Sequence, residues 1–193
     1  MALRFVENSV EPENPPPAPA ATLSTHELSA LWEHGSIVFE RNEYEEALAI
    51  FRRILRKASK SRFYAPVWAN VGIAHAHLGE YYTACQAFER ATKLDPGNAI
   101  YWYLLSLAKF SLKEYRDAKR YTDACLACFP RDMKRIDNIS LGLNFVLEKD
   151  EVLWNLKHII LHVNWKMHGS AIPYQASLNR LPAGRLFEPP LLA

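Results

Sequence analysis

Few of the usual carriers of chemistry are present in this chain of 193 residues. Its three cysteines, an odd number, argue against a disulfide scaffold and point to reduced thiols in a cytoplasmic setting. No apolar run approaches the roughly 18 residues of a membrane span. The opening MALRFVENSVEPEN is too acidic and too poor in apolar residues for a signal peptide. A formal net charge of +2 with mixed signs leaves no footprint for nucleic acid. No glycine-rich phosphate loop, nucleophile–base set or carboxylate pair stands out, so no catalytic residue and no cofactor are expected.

What the chain has instead is a repeat. Gly72 and Ser106 lie 34 residues apart, and so do Trp68 and Trp102, Tyr81 and Tyr115, Ala84 and Ala118, and Pro96 and Pro130. That period is the length of the tetratricopeptide repeat (TPR), a helix–turn–helix unit that stacks into a solenoid. Within one unit the residue types follow from packing. Trp68, Val71 and His75 share a face of a first helix. Gly72 marks a close helix crossing where a side chain would push the pair apart. Gly79 ends the first helix, and Ala84, Phe88 and Ala91 form the stripe of a second. Asp95-Pro96-Gly97-Asn98 stops that helix, and Asn98 is placed to cap the next.

A third unit keeps Trp102, Leu105, Tyr115, Ala118 and Pro130 but has Ser106 for the glycine and Thr122 for the large aromatic. Upstream, Gly35, Tyr44, Ala47 and Phe51 recur at matching internal distances, with three extra residues before the next unit that fit the polar stretch Lys57–Arg62. Ser24 with Glu27 reads as a capping box. The expected fold is all-α: a TPR solenoid of three helix pairs near 24–55, 66–94 and 99–129, with a further helix near 145–164. The repeats fall near 28–61, 65–98 and 99–130, inside a TPR domain spanning 24–165. An insertion at 131–144, with Gly142 and alternating Ile139, Leu141, Leu143 and Phe145, reads as extended or hairpin-like.

The ends differ. Residues 1–23 form a proline-rich, disordered arm, a linker or a polyproline ligand for SH3 or WW domains that lacks a flanking arginine or lysine. Residues 166–193, with Pro173, Pro182, Pro189 and Pro190, are expected to run as an extended strap, because Ile172, Tyr174, Leu178, Leu181, Leu186 and Phe187 are too many apolar side chains for a solvated tail. Cys125 and Cys128 form a C-x-x-C with no second pair, which favours packing over metal. His158 and His162 have the spacing of a zinc pair, with His168 as a third ligand in principle, but without the glutamate of H-E-x-x-H. They read as surface or groove histidines, and no metal is expected. Arg52, Arg53, Arg56, Lys57, Lys60 and Arg62 form a basic run. It suits either a solvated helix end that complements the macrodipole or an acidic partner.

Ile136-Asp137, Leu141-Gly142-Leu143-x-Phe145, Glu151-Val152-Leu153-Trp154-Asn155 and the distant Gly184-Arg185-Leu186-Phe187-x-Pro189 occur in an order that resembles the TPR domain of the cytosolic NADPH oxidase activator subunits, phagocyte and fungal. The likeness runs from about Ser29 to Pro189. The resemblance implies a non-catalytic effector of a GTP-bound, Rac-type small GTPase, bound through the insertion and the loops between repeats. It implies GTPase contacts at Arg131, Asp137 and Asp95. It also implies a C-terminal segment, with Arg185, Leu186 and Phe187, that folds back and fills the groove. Departures from the family pattern stand at Met133, Gly97 and Ala65. The other reading is a generic TPR adaptor taking a partner peptide in its groove. Its carboxylate-clamp form is argued against by Trp32, Ser36, Ile100 and Leu104, which occupy clamp positions beside a fitting Asn70.

Overall fold

The computed structural model describes residues 24–56, 62–138 and 146–168. The proline-rich arm, the apolar alternation of the insertion from Ile139 to Phe145, and the strap with Arg185, Leu186 and Phe187 lie outside the described residues. Seven helices follow one another: α1 (Thr25–Glu40), α2 (Tyr44–Arg56), α3 (Ala65–His77), α4 (Tyr81–Leu94), α5 (Ala99–Ser111), α6 (Tyr115–Ala127) and α7 (Lys149–His168). Each packs on the next in sequence, which is the nearest-neighbour arrangement of a repeat solenoid. Two strands, β1 (Arg135–Asp137) and β2 (Val146–Glu148), pair antiparallel between α6 and α7.

Local chemistry sets the helix ends. The Ser24 hydroxyl accepts from the Glu27 amide at 3.2 Å, while the Glu27 carboxylate accepts from the Ser24 amide at 2.8 Å. This reciprocal box satisfies orphan donors at the start of α1. Those bonds, the backbone one first, hold the Glu27 carboxyl below its ordinary range. Asn98 caps α5 by accepting from the Ile100 amide. Between α3 and α4 the chain turns through Gly79 at φ 77°, a left-handed conformation that glycine adopts without penalty.

Helix pairs close through a small-against-large contact. A Cβ built on Gly72 would stand 2.4 Å from Cε1 of Phe88, and one on Gly35 would stand 2.9 Å from the same atom of Phe51. In the third pair, Ser106 replaces the glycine and Thr122 the aromatic, and both are buried. Each hydroxyl bonds back into its own helix, Ser106 to the Tyr103 carbonyl at 2.8 Å and Thr122 to that of Ala118 at 2.9 Å. Two medium side chains thus fill the space that one large and one absent side chain fill elsewhere. Phe88 is buried, whereas Trp68 and Trp102 are half-buried at the helix boundary.

Two sequence expectations are corrected. The last helix does not begin at Phe145: Val146–Glu148 is a strand, with Leu147 fully buried in the core, and α7 starts at Lys149. Nor does the helix stop at Asn164. Trp165, Lys166, Met167 and His168 continue it, so the extended strap cannot begin at 166. The physical reason is that nothing before Gly169 disfavours a helix, while Asp150 and Glu151 in the first turn favour its start.

Candidate functional site

The insertion leaves the solenoid from the end of α6. At that point the loop joining α4 to α5 is tied down by its Pro96 carbonyl, which accepts from the Trp102 indole Nε1 at 2.8 Å. The Cys128 thiol, which donates to the Ala124 carbonyl at 3.3 Å, also lies 3.7 Å from the Pro96 oxygen. Burial pushes the Cys128 thiol up, and the nearby Asp95 carboxylate adds to the rise, so the sulfur stays protonated and able to donate. Cys125 is fully buried and its thiol is raised by desolvation as well. The C-x-x-C is therefore a packing and tethering element. Among the described residues no group of three or more His, Cys, Asp or Glu is placed to hold a metal.

This tether makes neighbours of the two loops that carry two of the three expected contact residues. Asp95 is the half-buried C-cap of α4 and accepts from the Asn98 amide group. Arg131 stands exposed in the turn after Pro130, where the Met133 amide donates to the Pro130 carbonyl at 3.1 Å. Asp137, also exposed, lies further out, at the end of β1 opposite Val146. The register Arg135↔Glu148 and Ile136↔Leu147 buries Leu147 and half-buries Ile136 against the core. The hairpin base is closed by the Lys149 amide donating to the Lys134 carbonyl at 2.7 Å, with the Lys149 ammonium over the Phe129 ring. The hairpin is thereby fixed to the core through one face while Arg131, Asp132, Met133, Lys134, Arg135 and Asp137 face solvent. A ridge of mixed charges, anchored to the core through Leu147 and Ile136, results. Sequence reasoning did not find the Pro96 tether, although the equivalent placement of Pro96 and Pro130 in successive repeats was its signal.

The helices that carry the clamp positions present little free polarity. Trp32, Asn70 and Ile100 are fully buried and Leu104 nearly so. The Ser36 hydroxyl is used within α1, bonding the Trp32 carbonyl at 3.1 Å. Further along, Asn155 of α7 donates to the Tyr103 hydroxyl at 3.3 Å in the buried core.

On α7 the faces are sharply divided. Val152, Asn155 and Ile159 are buried, whereas Trp154, Leu161 and Trp165 on the other side are about 40% exposed. Of the two histidines with zinc spacing, His162 stacks on Tyr115 and meets the Phe110 edge, while His158 lies against Trp154. Burial, with His158 nearby, lowers the affinity of His162 for a proton. An apolar stripe of this kind needs cover. Truncation at Leu181 is expected to lower the melting temperature by several degrees or to cause aggregation; at about 2–4 °C per kcal/mol for a chain of this length, a several-degree loss corresponds to one or two buried side chains. An unchanged melting curve would show residues 182–193 to be a loose appendage.

The assembled elements define a tetratricopeptide-repeat protein-interaction module, a fold that is in general non-catalytic. Residues 65–98 match the model of the tetratricopeptide repeat, and residues 100–134 that of the Fis1 C-terminal tetratricopeptide repeat. The chain is 28% identical over 128 residues to NADPH oxidase activator 1 of Rattus norvegicus, a match covering 66% of this chain and 27% of the relative. It is 30% identical over 101 residues to the heat-shock protein cognate co-chaperone sgt12 of Aspergillus fumigatus, covering 52% of this chain and 29% of that protein. The chain thus spans under a third of the length of either relative. Among solved structures, the Sgt2 TPR domain from Aspergillus fumigatus aligns with a TM-score of 0.62 at 20% identity, covering 86% of this chain and 97% of that one. The first TPR of Spaghetti (RPAP3), bound to the HSP90 peptide SRMEEVD, aligns with a TM-score of 0.58 at 16% identity, covering 75% of this chain and 99% of that one. Among the described residues no helix is long and apolar enough to cross a membrane.

Proposed function

We propose that this module is an effector of a Rac-type small GTPase in its GTP form and acts as a regulator of an NADPH oxidase complex. The observation that carries the reading is the ridge itself: a non-repeat hairpin, anchored by Leu147 and by the Lys149–Lys134 bond, that presents Arg131 and Asp137 to solvent beside the tethered Asp95 loop. A GTPase reports its nucleotide through switch loops ordered by the γ-phosphate, so an effector gains by offering directional polar groups on a rigid support. Arginine supplies donors in a fixed fork and aspartate accepts backbone N–H groups. The match to NADPH oxidase activator 1 supports the same reading. Within it, Arg185, Leu186 and Phe187 serve as a built-in groove ligand, and the setting is cytoplasmic.

The second reading, a groove adaptor for a partner peptide, is favoured by the fold shared with the peptide-bound first TPR of RPAP3. Against its carboxylate-clamp form stand the buried Trp32, Ile100 and Leu104. A pull-down separates the two: the effector reading expects capture by GTP-loaded Rac and little by the GDP form. Capture by neither form would leave the groove adaptor as the better account.

A further inference from the structure

Away from the hairpin, a cleft of about 690 Å³ opens between α2 and α4 above α3. Its walls carry Arg52 and Arg56 from α2 and Arg90 from α4, and its floor carries Trp68 and His75 from α3; among the described residues no carboxylate lines it. Two of the guanidinium groups are held in place. Arg90 lies over the Trp68 indole at 4.8 Å. Arg52 reaches His75 Nε2 at 3.3 Å, while His75 Nδ1 meets the Glu80 carboxylate. A carboxylate only accepts and a guanidinium only donates, so this chain places the proton on Nδ1 and leaves Nε2 to accept from Arg52. Among the described residues none of the three arginines has a carboxylate within ion-pair distance. Positioned cations beside an aromatic floor, with no described carboxylate paired to them, suit a ligand that is both acidic and proline-rich, because prolines dock on aromatic surfaces in a preformed extended helix.

The chain contains such a segment. Between Arg4 and His26 every charged residue is acidic, namely Glu7, Glu11 and Glu13, and Pro12, Pro15, Pro16, Pro17 and Pro19 are interleaved with or follow them. The segment also joins the domain at the right end. It runs into α1 at Ser24, and the first turn of α1 lies near the last turn of α2, where Arg53 acts on Glu27. The Arg56, Trp68 and Arg90 side of the cleft is at that same end, since α3 starts where α2 stops. From Glu13 to Ser24 an extended chain reaches about 35 Å, several times the roughly 10 Å width of the one helix it must pass. The strap at the other terminus carries Arg180 and Arg185 against a single Glu188, which is the wrong charge for this cleft.

We infer that residues 7–19 dock in the cleft between α2 and α4 of their own chain, with the glutamates against Arg52, Arg56 and Arg90 and the prolines against Trp68.

The test uses the full chain with a photo-crosslinking benzophenone amino acid at Val10, illuminated and mapped by mass spectrometry. Intramolecular crosslinks to α2 between Ala49 and Arg56 and to α4 between Thr83 and Arg90 are expected. Their yield should fall by about fivefold or more in about 0.5 M salt, in E7Q/E11Q/E13Q, and in R52Q/R90Q. The glutamate variant leaves every described helix unchanged, so it remains informative should the arginine variant fold poorly. Crosslinks spread over the surface, crosslinks only between chains, or a yield indifferent to all three changes would overturn the inference.

Discussion

Gly72→Ser is expected to destabilise the domain by about 2–4 kcal/mol, at the upper end of overpacking effects. The added Cβ alone would stand 2.4 Å, 2.6 Å and 2.8 Å from three atoms of the Phe88 ring, which is itself only 2% exposed and hemmed in by the core. The better helix propensity of serine over glycine returns less than about 1 kcal/mol, so the clash wins. Phe88→Thr should cost about 3–5 kcal/mol by leaving a cavity at the same crossing. The double variant rebuilds the Ser106–Thr122 pair that the third repeat already uses in buried form. Its cost should therefore fall below the sum of the singles by about 1 kcal/mol or more, the signature of directly coupled neighbours. Urea denaturation of the four proteins measures this; strict additivity would show that the two repeats do not share one packing solution.

Arg131→Ala is expected to weaken binding to GTP-loaded Rac by ten- to a hundredfold, about 1.5–3 kcal/mol for a charged hydrogen bond, with the helical circular dichroism unchanged. Arg131 is exposed in a turn and carries no core packing, so a stability effect is not expected from its loss. Asp137→Ala should act in the same direction. It sits in β1, where its backbone pairs with Val146 and its side chain is exposed. Isothermal titration of each variant against the GTP form reads the effect. Wild-type affinity in both would remove the ridge from the interface.

The repeat was legible because each signature residue answers one local packing demand. Gly72 answers Phe88, Asn98 answers an orphan amide, Ser24 and Glu27 answer each other, and the spacing in the chain carries all three. The hairpin was legible as a break in the pattern, but its limits were not. Three-residue strands give too little alternation to register, and the Val146-Leu147-Glu148 strand reads equally well as the first turn of the helix that follows. Asp95 and Arg131 were named separately, and what joins their loops, the Pro96 carbonyl held by Trp102 and reached by Cys128, depends on stacking two repeats. The cleft between α2 and α4 was missed for a similar reason. Arg52 and Arg56 were visible as part of a linear basic run, but Arg90, Trp68 and His75 join them only in three dimensions.

The central claim is that this TPR module recognises a small GTPase by its nucleotide state. Calorimetric titration of the wild-type chain with Rac loaded with GTP and, separately, with GDP tests it most directly. The account predicts saturable binding to the GTP form with at least about a tenfold preference, about 1.4 kcal/mol, over the GDP form. No heat with Rac-GTP, or equal affinity for both forms, would contradict it.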